Sequence, residues 1–294
     1  MKNAIKKTTT FFSQLAFISI GFILFSCEKN TNEPNHENKV TIYESKTNQL
    51  SGDEQEVNLL QHFPHHLYDR FEIPEIGSFD IDSRVDIIKN VIRSQNTWEP
   101  EIVELLHKYA RVDSVAIDCG AHIGTHSVLL SKLVGENGKV IVFEPQSKLF
   151  QELINNLKIN NLQNVSAYKC AVGRCNDTVT LEKPVIDNEG GTKLGIGGEK
   201  IQMIPIDSLH LNNVSLIKID VENHEYDVLL GAKETILNSK PVIILEILGN
   251  VYTPIENRTE QAQKIFDLLT EMGYEYSFIP ESWSDWIAIH KSMR

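Results

Sequence analysis

From Val112 onward the chain repeats one rhythm: a short apolar run, a turn, a helical spacing, another apolar run. Ser114–Asp118 and Lys139–Phe143 read as buried strands, and between them Thr125–Val134 sets Val128, Leu129, Leu130 and Leu133 at helical spacing. Lys148–Asn160 carries Leu149, Phe150, Leu153 and Leu157 on one face and predicts a second helix. Strands follow at Val165–Cys170 and Leu216–Val221, then a helix at Tyr226–Asn238, a strand at Pro241–Ile247 and a helix at Gln261–Met272. Strands alternating with helices imply a mainly parallel sheet covered on both faces. Tyr274–Ile279 and Trp286–His290 have no room for a helix between them, which makes them an antiparallel pair. The predicted fold is therefore α/β and Rossmann-like, mainly parallel with a C-terminal antiparallel strand. Asp177–Leu181 and Lys200–Ile204 flank an Asn188-Glu189-Gly190-Gly191 turn and predict two short strands at the rim of the sheet. That insertion either lines a substrate site or is a peripheral hairpin.

In an open α/β sheet, ligands bind at the carboxyl ends of the strands. Chemistry-bearing residues gather at those ends. Asp118-Cys119-Gly120-Ala121-His122-Ile123-Gly124 closes the first strand and opens the first helix. Gly120 permits a tight turn and Gly124 lets the helix start close to the sheet, while Asp118 can accept hydrogen bonds from a ligand amine or its water. The loop is not Gly-x-Gly-x-x-Gly, so a pyrophosphate cradle, and with it a dinucleotide oxidoreductase, is disfavoured. Phe143-Glu144-Pro145 ends the second strand, and Glu144 follows the glycine loop by roughly 20 residues, the spacing of an acid that accepts both ribose hydroxyls of an adenosine. Small residues at Ala171-Val172-Gly173 can let an adenine ring lie flat or can be plain core packing. Lys218-Ile219-Asp220-Val221-Glu222-Asn223-His224-Glu225 ends the fourth strand with an acid-rich run that either faces a cleft or caps the next helix. Asp220 and Glu222 are candidate bases, and His224 is one because its pKa lies near neutrality. Asp220 and Glu222, with Glu246 or Asn250, could also bind a divalent cation, a reading not favoured over a metal-free site.

The set and its order resemble the FkbM-type S-adenosylmethionine-dependent methyltransferases. Asp-x-Gly-Ala-x-Ile-Gly is followed by Phe-Glu-Pro, by Asn155-Asn156-Leu157 with Asn160-Asn161, by Ile217-Lys218-Ile219-Asp220-Val221-Glu222, by Gly231-Ala232, and by Lys240-Pro241 with Glu246. The resemblance covers about residues 95 to 290. It implies a class I methyltransferase fold and O-methylation of a hydroxyl on a sugar or other small molecule. It further implies cofactor contacts from Asp118, Gly120, Ala121 and Asp220, with Glu144 at the ribose and Ala171 near the adenine. Trp98-Glu99-Pro100 resembles the family's upstream Glu, so Glu99 is expected near the methionine end, as are His122 and Gly124 of the loop. Two positions depart from the pattern: the family usually has Asn where His122 stands and Gly where Asn223 stands. No Asn/Asp-Pro-Pro-Tyr follows the fourth strand, which disfavours adenine N-methylation.

The formal net charge is −12, and a surface this acidic repels phosphate backbones, so a nucleic-acid partner is excluded. Residues 1–26 read as a signal peptide: Lys2, Lys6 and Lys7 precede an apolar run of about fifteen residues, too short as a helix for a bilayer core of about 30 Å. Leu24-Phe25-Ser26-Cys27 resembles a bacterial lipobox, which implies a lipid on Cys27, a membrane anchor and export. Residues 27–60, rich in Asn, Glu, Lys, Ser and Thr, read as a disordered tether, leaving 61–294 as the folded domain. The alternative to an exported enzyme is twofold. Either the domain stays in the cytoplasm, where S-adenosylmethionine is made, or it is a membrane-anchored lipoprotein that keeps the fold as a non-catalytic binding module. Cys119, Cys170 and Cys175 form an odd set for an oxidising compartment.

Overall fold

The structure is a computed structural model that describes residues 41–45, 50–51, 64–84, 86–248 and 259–293. The signal peptide, Cys27, most of the expected tether and Asn250 lie outside the described residues. Within the stretch expected to be a tether, however, Thr41–Ser45 (β1) and Leu50–Ser51 (β2) are strands, and β1 pairs in parallel with Val165–Tyr168 (β7).

The central sheet is built from β1, β2, β7, Val115–Cys119 (β5), Lys139–Phe143 (β6), Val214–Ile219 (β11), Val242–Glu246 (β12), Tyr274–Phe278 (β13) and Asp285–His290 (β14). Its order is β13-β14-β12-β11-β5-β6-β7-β1-β2. The strands from β12 to β1 pair in parallel, and β14 lies antiparallel between β12 and β13. That is the predicted architecture. Strand order reverses beside β5, so the carboxyl ends of β5 and β11 open a crevice between loops that leave in opposite directions.

Successive side chains of a strand point to opposite faces, and the buried ones divide accordingly into two cores. Ala116, Val140, Val142, Leu216, Val242 and Ile244 join one core, covered by Ile87–Gln95 (α1), Pro100–Tyr109 (α2), Thr125–Val134 (α3) and Ser147–Ile159 (α4). Ile117, Ile141, Ile217, Ile243 and Leu245 join the other, covered by Glu225–Gly231 (α5), Lys233–Ser239 (α6) and Glu260–Glu271 (α7). Each such fully buried Ile or Val contributes roughly 1.5–3 kcal/mol. A hairpin of Tyr68–Ile73 (β3) and Gly77–Asp82 (β4) packs on the first core through Phe79 and Ile81.

Two elements differ from expectation. The strand expected at Val165–Cys170 ends two residues early: β7 stops at Tyr168, and the following Ala171–Val172 (β8) joins a separate small sheet with Asp177–Glu182 (β9) and Gly197–Ile204 (β10). Tyr226–Asn238 is not one helix. It breaks at Ala232 because Asp207, from a distant turn, accepts the backbone N–H groups of Glu234 and Thr235 and starts α6 afresh.

Candidate active site at the carboxyl ends of the strands

The turn after β5 is pinned to the end of β6: the N–H groups of Gly120 and Ala121 both donate to the Phe143 carbonyl at 3.0 Å. Gly120 has φ +79°, and a Cβ there would stand 1.7 Å from the Asp220 carbonyl oxygen, so only glycine lets β5 and β11 end this close. At Gly124 a Cβ would meet Leu153 of α4 at 2.6 Å, so the tight approach there is to a neighbouring helix. His122 sits at φ +53°, in the left-handed region that Asn tolerates well, and its N–H donates to Glu144 Oε2 at 2.9 Å. Glu144 Oε1 accepts from the Gln146 N–H at 2.8 Å. Burial of Glu144 pushes its pKa up to about 8 against those two bonds. Asp118 is 1% exposed; its Oδ2 accepts from Ser127 Oγ at 2.6 Å, while its Oδ1 has no hydrogen-bond partner among the described residues. A buried carboxylate oxygen left open beside the glycine turn fits a ligand's donor group.

At the end of β11 a buried lysine faces a ring of acids. Lys218 Nζ lies 2.9 Å from Asp220 Oδ2. Burial alone would lower the Lys218 pKa, but Asp220, Asp118 and Glu99 outweigh it and hold the ammonium well above its ordinary value. The acids around it exceed what one lysine can neutralise. Burial and then Asp220 push Glu222 to about 6, Glu246 to about 9 and Asp285 to about 6. Glu99 rises to about 8 through burial, with Lys218 opposing. Glu225 rises to about 7 through burial, and its Oε1 caps the Asn223 N–H at 3.0 Å, so it serves the turn before α5. Glu222 and Asn223 both hold left-handed backbone, at φ +55° and +73°. The turn thus keeps, with Asn, the form a Gly would give it. One oxygen each from Asp220, Glu222 and Glu246 lie within 4.8 Å of one another, so the option of a divalent cation has a geometric basis.

A cleft of about 500 Å³, open to solvent, brings together Gly120, Glu144, Ala171, Asp220, Glu222 and His224 of the expected residues. The rim insertion supplies Leu181, Gly190, Thr192 and Leu194, so it lines the cleft and is not a peripheral hairpin. His224 faces the Ala171 side of the cleft: its Nδ1 is 3.6 Å from Asp227 Oδ2, and its Nε2 lies against Gly173. Burial lowers its pKa. Sequence reading missed His126, which is buried in the first turn of α3 with Nε2 3.5 Å from Glu99 Oε2. Nothing in the Thr125–Val134 pattern marks one polar position of a helix as facing an acid brought from α2.

The profile of the family described as "Methyltransferase FkbM domain" matches residues 118–276, more than half of the chain. The chain belongs to the FkbM methyltransferase family. A relative of this FkbM-family chain, the hexuronic acid methyltransferase AglP of Haloferax volcanii, is 24% identical over 213 residues, covering 70% of this chain and 87% of the relative. Among solved structures, an FkbM methyltransferase from Methylobacillus flagellatus aligns with a TM-score of 0.46 at 19% identity, covering 69% of this chain and 53% of that one, so the chain spans about half the length of that structure. The fibrillarin of Aeropyrum pernix bound to S-adenosylmethionine aligns at 0.41 and 13%, covering 79% and 86%.

Proposed function

We propose that this S-adenosylmethionine-dependent methyltransferase acts on a hydroxyl oxygen of a sugar or another small molecule. The observation that carries the reading is the acid-rich crevice itself: Gly120, Glu144, Ala171 and Asp220 line one cleft, with the buried Lys218 facing Asp118, Asp220 and Glu99. A cofactor that presents a sulfonium and an ammonium brings the positive charge this ring lacks. When bound, it supplies a methyl group on an electron-poor sulfur. The protein's own part is to hold and to deprotonate. Glu144 is placed to accept the ribose hydroxyls, because each of its oxygens keeps a lone pair beyond the backbone bond it already accepts. The buried Oδ1 of Asp118, without a hydrogen-bond partner among the described residues, and the largely buried Glu99 suit the amine end. Alignment of the acceptor with the methyl group supplies much of the rate gain.

For the proton, Glu222 stands first among the candidates. It lines the cleft beside Asp220, and with a pKa of about 6 it is ionised at neutral pH. His224 stands on the Ala171 side and is turned toward Asp227 and Gly173, which makes it the weaker choice. The AglP relative is named for a hexuronic acid, which supports a sugar acceptor. The acids around Asp220 favour one without a carboxylate of its own. Calorimetric titration of the chain with S-adenosylhomocysteine is expected to show binding that Glu144→Ala weakens by roughly 10- to 100-fold, the worth of two hydrogen bonds. No heat at millimolar ligand overturns the methyltransferase reading. Binding without turnover on any sugar or small-molecule hydroxyl selects the non-catalytic binding module instead.

A further inference from the structure

Upstream of the family-matched region, Lys89 on α1 has a side chain with no exposure at all. Its ammonium lies 3.1 Å from Asp82 Oδ1, 3.0 Å from Glu152 Oε2 and 2.9 Å from Glu189 Oε2. Lys148 Nζ, on α4, meets the same three acids at 2.9, 2.8 and 2.7 Å. Arg84 Nη1 adds 3.1 Å to Glu189 Oε1. Burial would lower the Lys89 pKa, but Glu152 and Glu189 outweigh it and keep the ammonium charged. Four separate pieces of chain are thereby tied at one point: the β3–β4 hairpin, α1, α4 and the rim turn at 187–192.

The tie does not end at the charges. Asp86 accepts the Lys89 N–H with Oδ1 and the Glu189 N–H with Oδ2, at 3.0 and 2.9 Å. The Glu189 carbonyl accepts from Gln146 Nε2 and from Thr192 Oγ1, both at 2.9 Å. Gln146 in turn donates its backbone N–H to Glu144 Oε1 at 2.8 Å. Glu189 is thus fixed on its side chain by Lys89 and on its backbone to the residue that orients Glu144. Gly190 and Thr192, its neighbours, line the cleft. A buried ionic cluster is weak evidence for stability, since well-packed apolar residues often serve as well or better. Its distinctive contribution is a fixed geometry.

We propose that Lys89 is a positioning residue for cofactor binding, which through Glu189 and Gln146 holds the rim turn and the Glu144 carboxylate in register. The proposal rests on the reading of Glu144 as the ribose acid. It assigns a role in the reaction to the α1 segment, upstream of the FkbM match, without contact between Lys89 and any ligand.

The test begins with S-adenosylhomocysteine binding to the unmodified chain; absence of binding there overturns the function proposed above and is recorded before any variant is made. Lys89→Met and Glu189→Gln are then compared with it by calorimetry, by steady-state kinetics on an accepted substrate and by thermal unfolding. Glu189→Gln keeps the shape and the backbone carbonyl, so it stays informative if Lys89→Met does not fold. Each folded variant is expected to raise the dissociation constant and the KM for the cofactor about tenfold with kcat within about twofold. Gln146→Ala is expected to weaken binding similarly, and Glu189→Gln combined with Gln146→Ala no further than either alone. Folded variants with unchanged affinity, or effects of Glu189→Gln and Gln146→Ala that simply add, overturn the proposal, because a purely structural cluster would shift only the unfolding temperature.

Discussion

A methyl group at Gly120 would stand 1.7 Å from the Asp220 carbonyl, and the backbone there is at φ +79°, so Gly120→Ala is expected to abolish both folding of the crevice and cofactor binding. The neighbouring His122 gives a gentler experiment. Its left-handed backbone suits Asn, and its ring leaves Nε2 buried without a hydrogen-bond partner among the described residues. His122→Asn is therefore expected to leave the unfolding temperature equal or slightly higher and cofactor affinity within about threefold, read by titration. A tenfold loss would show that the imidazole holds the cofactor. These turn residues were legible in the sequence because backbone geometry restricts them to a few residue types. Lys89 and His126 were not legible. Their partners, Asp82, Glu152 and Glu189 for one and Glu99 for the other, come from distant segments, and no local spacing records that meeting.

Most strands and helices of the doubly covered sheet were legible for a similar reason. Their apolar period is set by the element itself, as in Thr125–Val134 and Lys139–Phe143, whose bounds the structure reproduces. Where an element depended on a remote group, the pattern misled. The break between α5 and α6 is imposed by Asp207 and by the approach of Gly231 to the Gly173 carbonyl, where a Cβ would come within 1.9 Å. The start of α1 shows how one residue can serve two elements. Asp86 caps it through the Lys89 N–H and also holds the rim turn through the Glu189 N–H. Asp86→Ala is expected to cost about 1–2 kcal/mol in denaturant unfolding, the worth of a helix cap and more. Asp86→Asn, which keeps an acceptor for Lys89, should recover part of that loss.

For the whole molecule, two groups of acids oppose each other in pH. In and around the crevice, Glu99, Glu144, Glu222, Glu225, Glu246 and Asp285 have folded pKa values raised by burial to between about 6 and about 9. The folded chain keeps protons that the unfolded chain has already lost, so stability falls as pH rises from about 4.5 toward 9. For Asp80, Asp82 and Glu189, burial is outweighed by Arg70, Lys148 and Lys89, and their pKa values are lowered, so the stability they add is lost as pH falls through those folded values. The unfolding temperature is expected to peak in mildly acidic solution and decline by several degrees toward pH 9, with S-adenosylmethionine giving its largest gain at the alkaline end. A flat or rising profile between pH 5 and 9 would contradict the acid ring. The position of β14 carries a consequence for how the chain is made. Synthesised after both of its neighbours, β14 lies between them, and until residues 285–290 have left the ribosome the wholly buried Val242–Leu245 run of β12 is an open edge. A nascent chain stalled before that point would present other copies with a ready template for strand pairing, so the safety of the sheet during translation hangs on a strand made after both of its neighbours.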